Sequence, residues 1–315
     1  MKMKKSFQKS TEKLQGSERH GIVLTCYGPK IELEDTEGSI IPCHLRKNME
    51  PVTTGDNVLW LPEDESASTG IVVKLLPRKS LLGRPENPHK IKLVAANIDT
   101  IIIVIAPPPL LSEEMIDRYL VAAEMLGIQP VIVLNKTDLL DGHSPEDIMG
   151  RIQVYQHIGY PVILSSVLTH DGLTQLDAFL RDKTCVLVGA SGVGKSSIIA
   201  SLNEESLVKI GENSASTGLG KHTTTATRLY HLPHGGNLID SPGVREFGLW
   251  NVAPTELSKG FIEFKPYLYQ CQFRNCKHIK EPGCAIQAAA HRGAICEKRY
   301  ANYLKIYATL SEKRK

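Results

Sequence analysis

The sequence predicts a multidomain α/β protein, and three observations carry that prediction. The first is a strand–loop–helix segment near residues 183–202, where Cys185-Val-Leu-Val188 runs into a glycine-rich loop and a helix start at Ile198. The second is an alternation of buried apolar runs and helical stretches from residue 100 to residue 180. That is the pattern of a mostly parallel, doubly wound sheet. The third is a series of short alternating runs between Gly21 and Leu76, which suits a small all-β unit. A chain of 315 residues has room for two or three such domains.

In chain order, residues 1–19 are polar and lysine-rich and read as a basic flexible arm. Five runs follow, beginning at Gly21, Lys30, Ser39, Asp56 and Gly70, separated by Gly, Pro and Asp turns. They predict a closed five-stranded barrel over residues 20–78. Residues 77–96 are Pro- and Arg-rich and read as a linker. Thr100–Ile105, Gln129–Leu134 and Pro161–Leu164 then read as buried strands. Helices are expected over 112–126, with Ser112 as N-cap and Glu113 and Glu114 in the first turn, and over 145–158 and 173–180. The α/β domain is taken as 79–250 and a C-terminal domain as 251–315. The tail from Tyr300 reads as a basic helix whose Tyr300, Tyr303, Leu304 and Tyr307 stripe packs inward.

Composition excludes several classes. No apolar run approaches the roughly 18–20 residues of a membrane span, and the basic N-terminus has no apolar segment behind it, so no secretory signal is read. A cytoplasmic protein, expected to be a monomer, follows. Three of the seven cysteines cluster and the other four are scattered, which argues for one metal site rather than a disulfide frame. The net charge of +3 hides an asymmetry. Residues 1–20 hold six Lys/Arg against two acids, and residues 265–315 hold eleven against three, so the middle is acidic. Basic ends point to a polyanionic partner, most simply nucleic acid.

The loop itself is Gly189-Ala190-Ser191-Gly192-Val193-Gly194-Lys195-Ser196-Ser197, which fits G-x-x-x-x-G-K-[ST] at every fixed position. Glycines let successive backbone N–H groups converge on one point, and the following helix aims its positive end there. Lys195 is expected to reach β- and γ-phosphates and the Ser196 hydroxyl to ligate Mg²⁺.

A second motif, Asn135-Lys136-Thr137-Asp138, stands at the carboxyl end of a buried run. A carboxylate there accepts from guanine N1–H and its 2-amino group, and against adenine it is left unpaired, which discriminates strongly. Asn135 suits the purine edge, and the Lys136 stem can lie along the base face. Backbone N–H groups of Ser165-Ser166-Val167 are candidates for guanine O6. Beyond the loop, Ser214–Thr225 is polar and glycine-bearing, and one of Thr223, Thr224 or Thr225 is expected to complete the Mg²⁺ shell, with Thr224 carried forward. Asn237-Leu-Ile-Asp240-Ser-Pro-Gly243 is a strand and an Asp-x-x-Gly turn, giving Asp240 to Mg²⁺ and the Gly243 N–H to the γ-phosphate. Val244 stands where many GTPases carry a water-orienting glutamine. His222, just before the threonines, is the catalytic candidate, and Arg245 is its rival.

Cys271, Cys276, His278 and Cys284 put three thiols and an imidazole within fourteen residues, a closed tetrahedral set for one structural Zn²⁺. His291 and Cys296 rank below them. Arg274, Lys277 and Lys280 beside these ligands suit RNA phosphates.

The motif order is unusual. In ordinary small GTPases the phosphate loop comes first and Asn-Lys-x-Asp late; here Asn135–Asp138 precedes Gly189 and Asp240–Gly243 follows. The chain therefore looks like a circularly permuted GTPase. More narrowly it resembles the bacterial ribosome-small-subunit-dependent GTPase A family, through Gly189–Ser197, Gly218-Leu-Gly-Lys-His-Thr-Thr-Thr225, Asp240-Ser-Pro-Gly-Val-Arg-Glu-Phe247 and the cysteine cluster. The resemblance implies an N-terminal oligonucleotide-binding (OB) type barrel, a circularly permuted P-loop GTPase domain and a C-terminal zinc-binding helical domain. It implies GTP hydrolysis, with GTP, GDP, the small ribosomal subunit and its rRNA as partners, in late maturation of that subunit.

Overall fold

The structure is a computed structural model and describes residues 17–28, 30–63, 66–87, 90–107, 111–142, 145–202, 227–241, 249 and 252–312. Strands β1 (Arg19–Tyr27), β2 (Lys30–Asp35), β3 (Ile40–Leu45), β4 (Asn57–Pro62) and β5 (Gly70–Leu75) come first, then β6 (Leu81–Asn87), β7 (Lys90–Ala96) and β8 (Thr100–Ile105). Helix α1 (Glu113–Leu126), β9 (Gln129–Leu134), α2 (Pro145–Ile158), β10 (Val162–Leu164), α3 (Leu173–Leu180), β11 (Thr184–Val188) and α4 (Lys195–Leu202) follow. The chain ends with β12 (Arg228–His231), β13 (Asn237–Asp240), α5 (Ala285–His291) and α6 (Glu297–Glu312), and short 3₁₀ helices stand at 137–142, 254–260 and 262–267.

The described residues fall into two compact units. In the first, β1 pairs with β2, β2 with β3, β3 in parallel with β5, β5 with β4, and β4 back with β1. The expected five-stranded barrel is therefore closed. Alternation along each strand sends Val23, Leu33, Cys43, Val58, Trp60 and Val72 into its core. Gly70 is there because a Cβ would lie 2.5 Å from the Trp60 ring.

Two elements of this unit were not read from the sequence. Residues 77–96 are no linker: β6 and β7 form an antiparallel ribbon. Its register shifts between Pro85 and Asn87, and such a bulge accommodates a proline that a regular ladder would reject. The four-residue β12 pairs with β13 and touches β1 at Thr25↔Arg228. The Thr25 and Thr54 hydroxyls both donate to the Thr227 carbonyl, fastening the start of this hairpin to the barrel.

In the second unit β10, β9, β8 and β11 lie side by side, all parallel. Every residue of β8 is buried, as a strand covered on both faces requires. Ser112 caps α1 by accepting from the Met115 N–H, and Gly127 ends it in the left-handed conformation. The C-terminal elements pack on α1. Phe261 stacks on Phe264 at 4.8 Å, and both meet Tyr303 edge-on. Gly260 abuts Val121, where a Cβ would sit 2.5 Å from the valine methyl. Beneath them a buried ionic cluster joins α1, α2 and α6. Arg299, 2% exposed, bonds Asp117 at 2.6 Å and Glu263 at 2.7 and 2.9 Å. Asn302 and Tyr155 also donate to Asp117. Among the described residues no helix is long and apolar enough to cross a membrane.

Candidate nucleotide site and metal centre

The phosphate loop is built by β11 and α4. Its backbone needs glycine at two places. Gly189 has φ 137°, and a Cβ there would lie 2.2 Å from the Val104 carbonyl of the neighbouring strand. Gly194 has φ 94°, and a Cβ would collide with the Asn135 amide at the same distance. Val193 between them is buried, anchoring the loop, while Ser191, Ser196 and Ser197 are exposed. Ala190 is half-buried beside Gly192 and its neighbours at the loop tip. Lys195 Nζ donates to the carbonyls of Gly189 (2.9 Å) and Ala190, lying along the loop it is expected to serve.

The turn after β9 is welded to this loop. Asn135, 1% exposed, donates from Nδ2 to the Val193 carbonyl at 2.9 Å and accepts from Ser165 Oγ at 3.3 Å. Asn135 thus carries a bracing role that sequence reading did not assign. Lys136 takes φ 60°, the tight bend that turns the chain into the 3₁₀ helix carrying Thr137 and Asp138. Thr137 bonds the Ser165 carbonyl through both its N–H and its hydroxyl. Ser166 Oγ donates to Asp138 Oδ1 at 2.5 Å, fixing one carboxylate oxygen. Of the three amides offered to guanine O6, two are already spent: Ser165 N–H on the Leu134 carbonyl and Ser166 N–H on Asp171. Val167 remains as the candidate.

Asn135, Lys136, Asp138, Gly194 and Ser197 line one cavity of about 590 Å³. Sequence reading missed Leu139, Leu168, His170 and Ser201 on its wall, because only the folded turns bring them there. Asp240 ends β13, opposite Arg228. His222, Thr223, Thr224, Thr225, Gly243, Val244 and Arg245 lie outside the described residues.

The cysteine cluster closes as its spacing predicts. The ligand atoms of Cys271, Cys276, His278 and Cys284 all lie within 4.8 Å of one another. His278 Nδ1 is 3.5 Å from Cys271 Sγ and 3.4 Å from Cys284 Sγ, and the two sulfurs are 4.0 Å apart. A tetrahedral zinc has S···N edges of about 3.6 Å and S···S edges of about 3.8 Å, so the donor set fits that ion. Burial foremost pushes Cys276 up to about 12 and Cys284 upward, and a cation among them would favour their thiolate forms. Burial likewise lowers His278, keeping its imidazole neutral for a metal. The loop is held from outside. Glu281 accepts from the Lys277, Ile279 and Lys280 amides. Tyr300 and Tyr303 hydroxyls donate to the carbonyls of His278 and Lys277, so this tyrosine stripe packs inward as expected.

A phosphate loop at the carboxyl end of a parallel sheet, braced by an Asn-Lys-x-Asp turn that precedes it in the chain, defines a circularly permuted P-loop GTPase. The RsgA GTPase family model matches residues 75–250, and the chain belongs to that family. It is 46% identical over 301 residues to the protein named small ribosomal subunit biogenesis GTPase RsgA from Pectobacterium carotovorum subsp. carotovorum, covering 94% of this chain and 86% of the relative. The Haemophilus influenzae protein of that name is 43% identical over 311 residues, covering 98% and 90%. Among solved structures, YjeQ from Thermotoga maritima superposes with a TM-score of 0.77 at 32% identity, over 93% of this chain and 98% of that one. YloQ, described as a circularly permuted GTPase, gives 0.75 at 26%, over 96% and 97%.

Proposed function

We propose that this GTP hydrolase binds the small ribosomal subunit and turns over GTP during its late maturation, with hydrolysis stimulated by the subunit. The observation that carries the reading is one cavity walled by Asp138, its turn and the phosphate loop. The relatives named for small-subunit biogenesis supply the biological setting.

Asp138 selects guanine, because an adenine edge brings neither the N1–H nor the 2-amino donor that its carboxylate accepts from. The amides of the Gly189–Ser197 loop and the Lys195 ammonium take the phosphates. Ser196, Thr224 and Asp240 are the residues that would hold Mg²⁺ with the nucleotide, and the ion would neutralise charge on the β- and γ-phosphates. The Gly243 N–H senses the γ-phosphate, and His222 orients the attacking water. Zinc at Cys271, Cys276, His278 and Cys284 is structural, since its four protein donors leave no position for a reacting water. The barrel and the basic zinc loop meet rRNA, in the cytoplasm, with the protein acting as a monomer.

Co-sedimentation with purified small subunits tests this reading. Binding is expected with a non-hydrolysable GTP analogue and weakened with GDP. Binding that ignores the nucleotide would favour an RNA-binding assembly scaffold in which GTP is mainly a conformational ligand.

A further inference from the structure

Leu168 is 77% exposed, a large apolar side chain in water, and it lies on the wall of the nucleotide cavity. A single exposed leucine is ordinary on a protein surface; what sets this one apart is its place, on a hydrogen-bonded turn that lines the same cavity as Asp138. Its turn is locked from both ends: Ser166 N–H bonds the Asp171 carbonyl, Thr169 N–H bonds Ser166 Oγ, and Thr169 Oγ1 bonds Asp171 Oδ2. Gly172 closes the turn so tightly that a Cβ would lie 1.8 Å from the Leu164 carbonyl. The same Ser166 hydroxyl that anchors the turn donates to Asp138. The position of Leu168 is therefore fixed relative to the carboxylate that reads the base edge.

A purine has a polar edge and two apolar faces. An edge held at Asp138 leaves the faces to be covered, and water is displaced only if something apolar meets them. Lys136 offers one aliphatic stem on the cavity wall. We propose that Leu168 supplies an apolar surface for a purine face, so that the base is held by its edge at Asp138 and by its face at Leu168. This rests on the guanine-nucleotide reading of the site.

The test compares wild type, Leu168→Ser and Leu168→Met for dissociation constants of GDP, IDP and inorganic tripolyphosphate. Leu168→Ser is expected to weaken GDP and IDP by the same factor, roughly tenfold, through faster dissociation. IDP lacks the 2-amino group, so an unchanged GDP/IDP ratio marks a face contact rather than edge reading. Tripolyphosphate has no base and is expected to bind both proteins alike, and Leu168→Met to restore GDP affinity. Unchanged GDP affinity in Leu168→Ser would overturn the proposal. So would an altered GDP/IDP ratio, or an equal loss for tripolyphosphate. A wild-type protein that fails to bind GDP would instead remove the reading on which the proposal rests.

Discussion

The Asn135 side-chain amide donates to the Val193 carbonyl at 2.9 Å, across 58 residues of sequence. It ties the Asn135–Asp138 turn directly to the glycine-rich loop. Gly194 permits the approach, since any Cβ there would occupy the position of the amide nitrogen. Asn135→Ala leaves the buried Val193 carbonyl without this donor, at a cost of about 1–3 kcal/mol. The expected result is weaker binding of GDP and of base-free tripolyphosphate together, measured by calorimetry. A loss confined to GDP would mean that Asn135 serves the base alone.

Asp138 is held by Ser166 with one oxygen fixed. Asp138→Asn replaces an acceptor by a donor. GDP affinity is expected to fall at least a hundredfold while xanthosine diphosphate gains, because xanthine offers a carbonyl where guanine has its amino group. Competition titrations with the two nucleotides read this directly, and an unaltered preference would remove Asp138 from base recognition.

Arg299 shares Asp117 and Glu263 in a site that water hardly reaches. Arg299→Met strands two carboxylates in low dielectric and is expected to destabilise the protein by about 3–5 kcal/mol in urea unfolding. Removing Asp117 and Glu263 charges as well, as Asp117→Asn with Glu263→Gln, is expected to recover part of that loss. Additive losses in the triple variant would show that packing, rather than charge, dominates at this site.

Much of this was legible in the sequence, for identifiable reasons. The barrel strands alternate cleanly because one face is wet, and the phosphate loop is written in glycines that no other residue replaces. Cys271, Cys276, His278 and Cys284 lie within fourteen residues, so local spacing sufficed to find their cluster. The β6–β7 ribbon was misread because Pro85 is a loop signal unless a bulge absorbs it. The bracing role of Asn135, and the places of Leu168 and His170 on the cavity wall, depend on turns meeting in space and leave no trace in residue spacing.

The proposed structural zinc is tested by removing a ligand or the metal. Cys276→Ala, or chelation, is expected to release one zinc per chain and to loosen residues 271–284, seen as faster hydrogen exchange there. GDP affinity is expected to stay close to wild type, because among the described residues none of those lining the cavity beside Asp138 belongs to this loop. Protein purified without chelators and found free of zinc would contradict the structural role.

The central claim is that this permuted nucleotide site is an engine answering to the small ribosomal subunit. Its most direct test is GTP turnover at saturating nucleotide, titrated with purified small subunits and, separately, large ones. The account predicts slow hydrolysis by the protein alone, a rise of tenfold or more that saturates with small subunits, and no rise with large subunits. Turnover indifferent to small subunits, or raised equally by both, would contradict it.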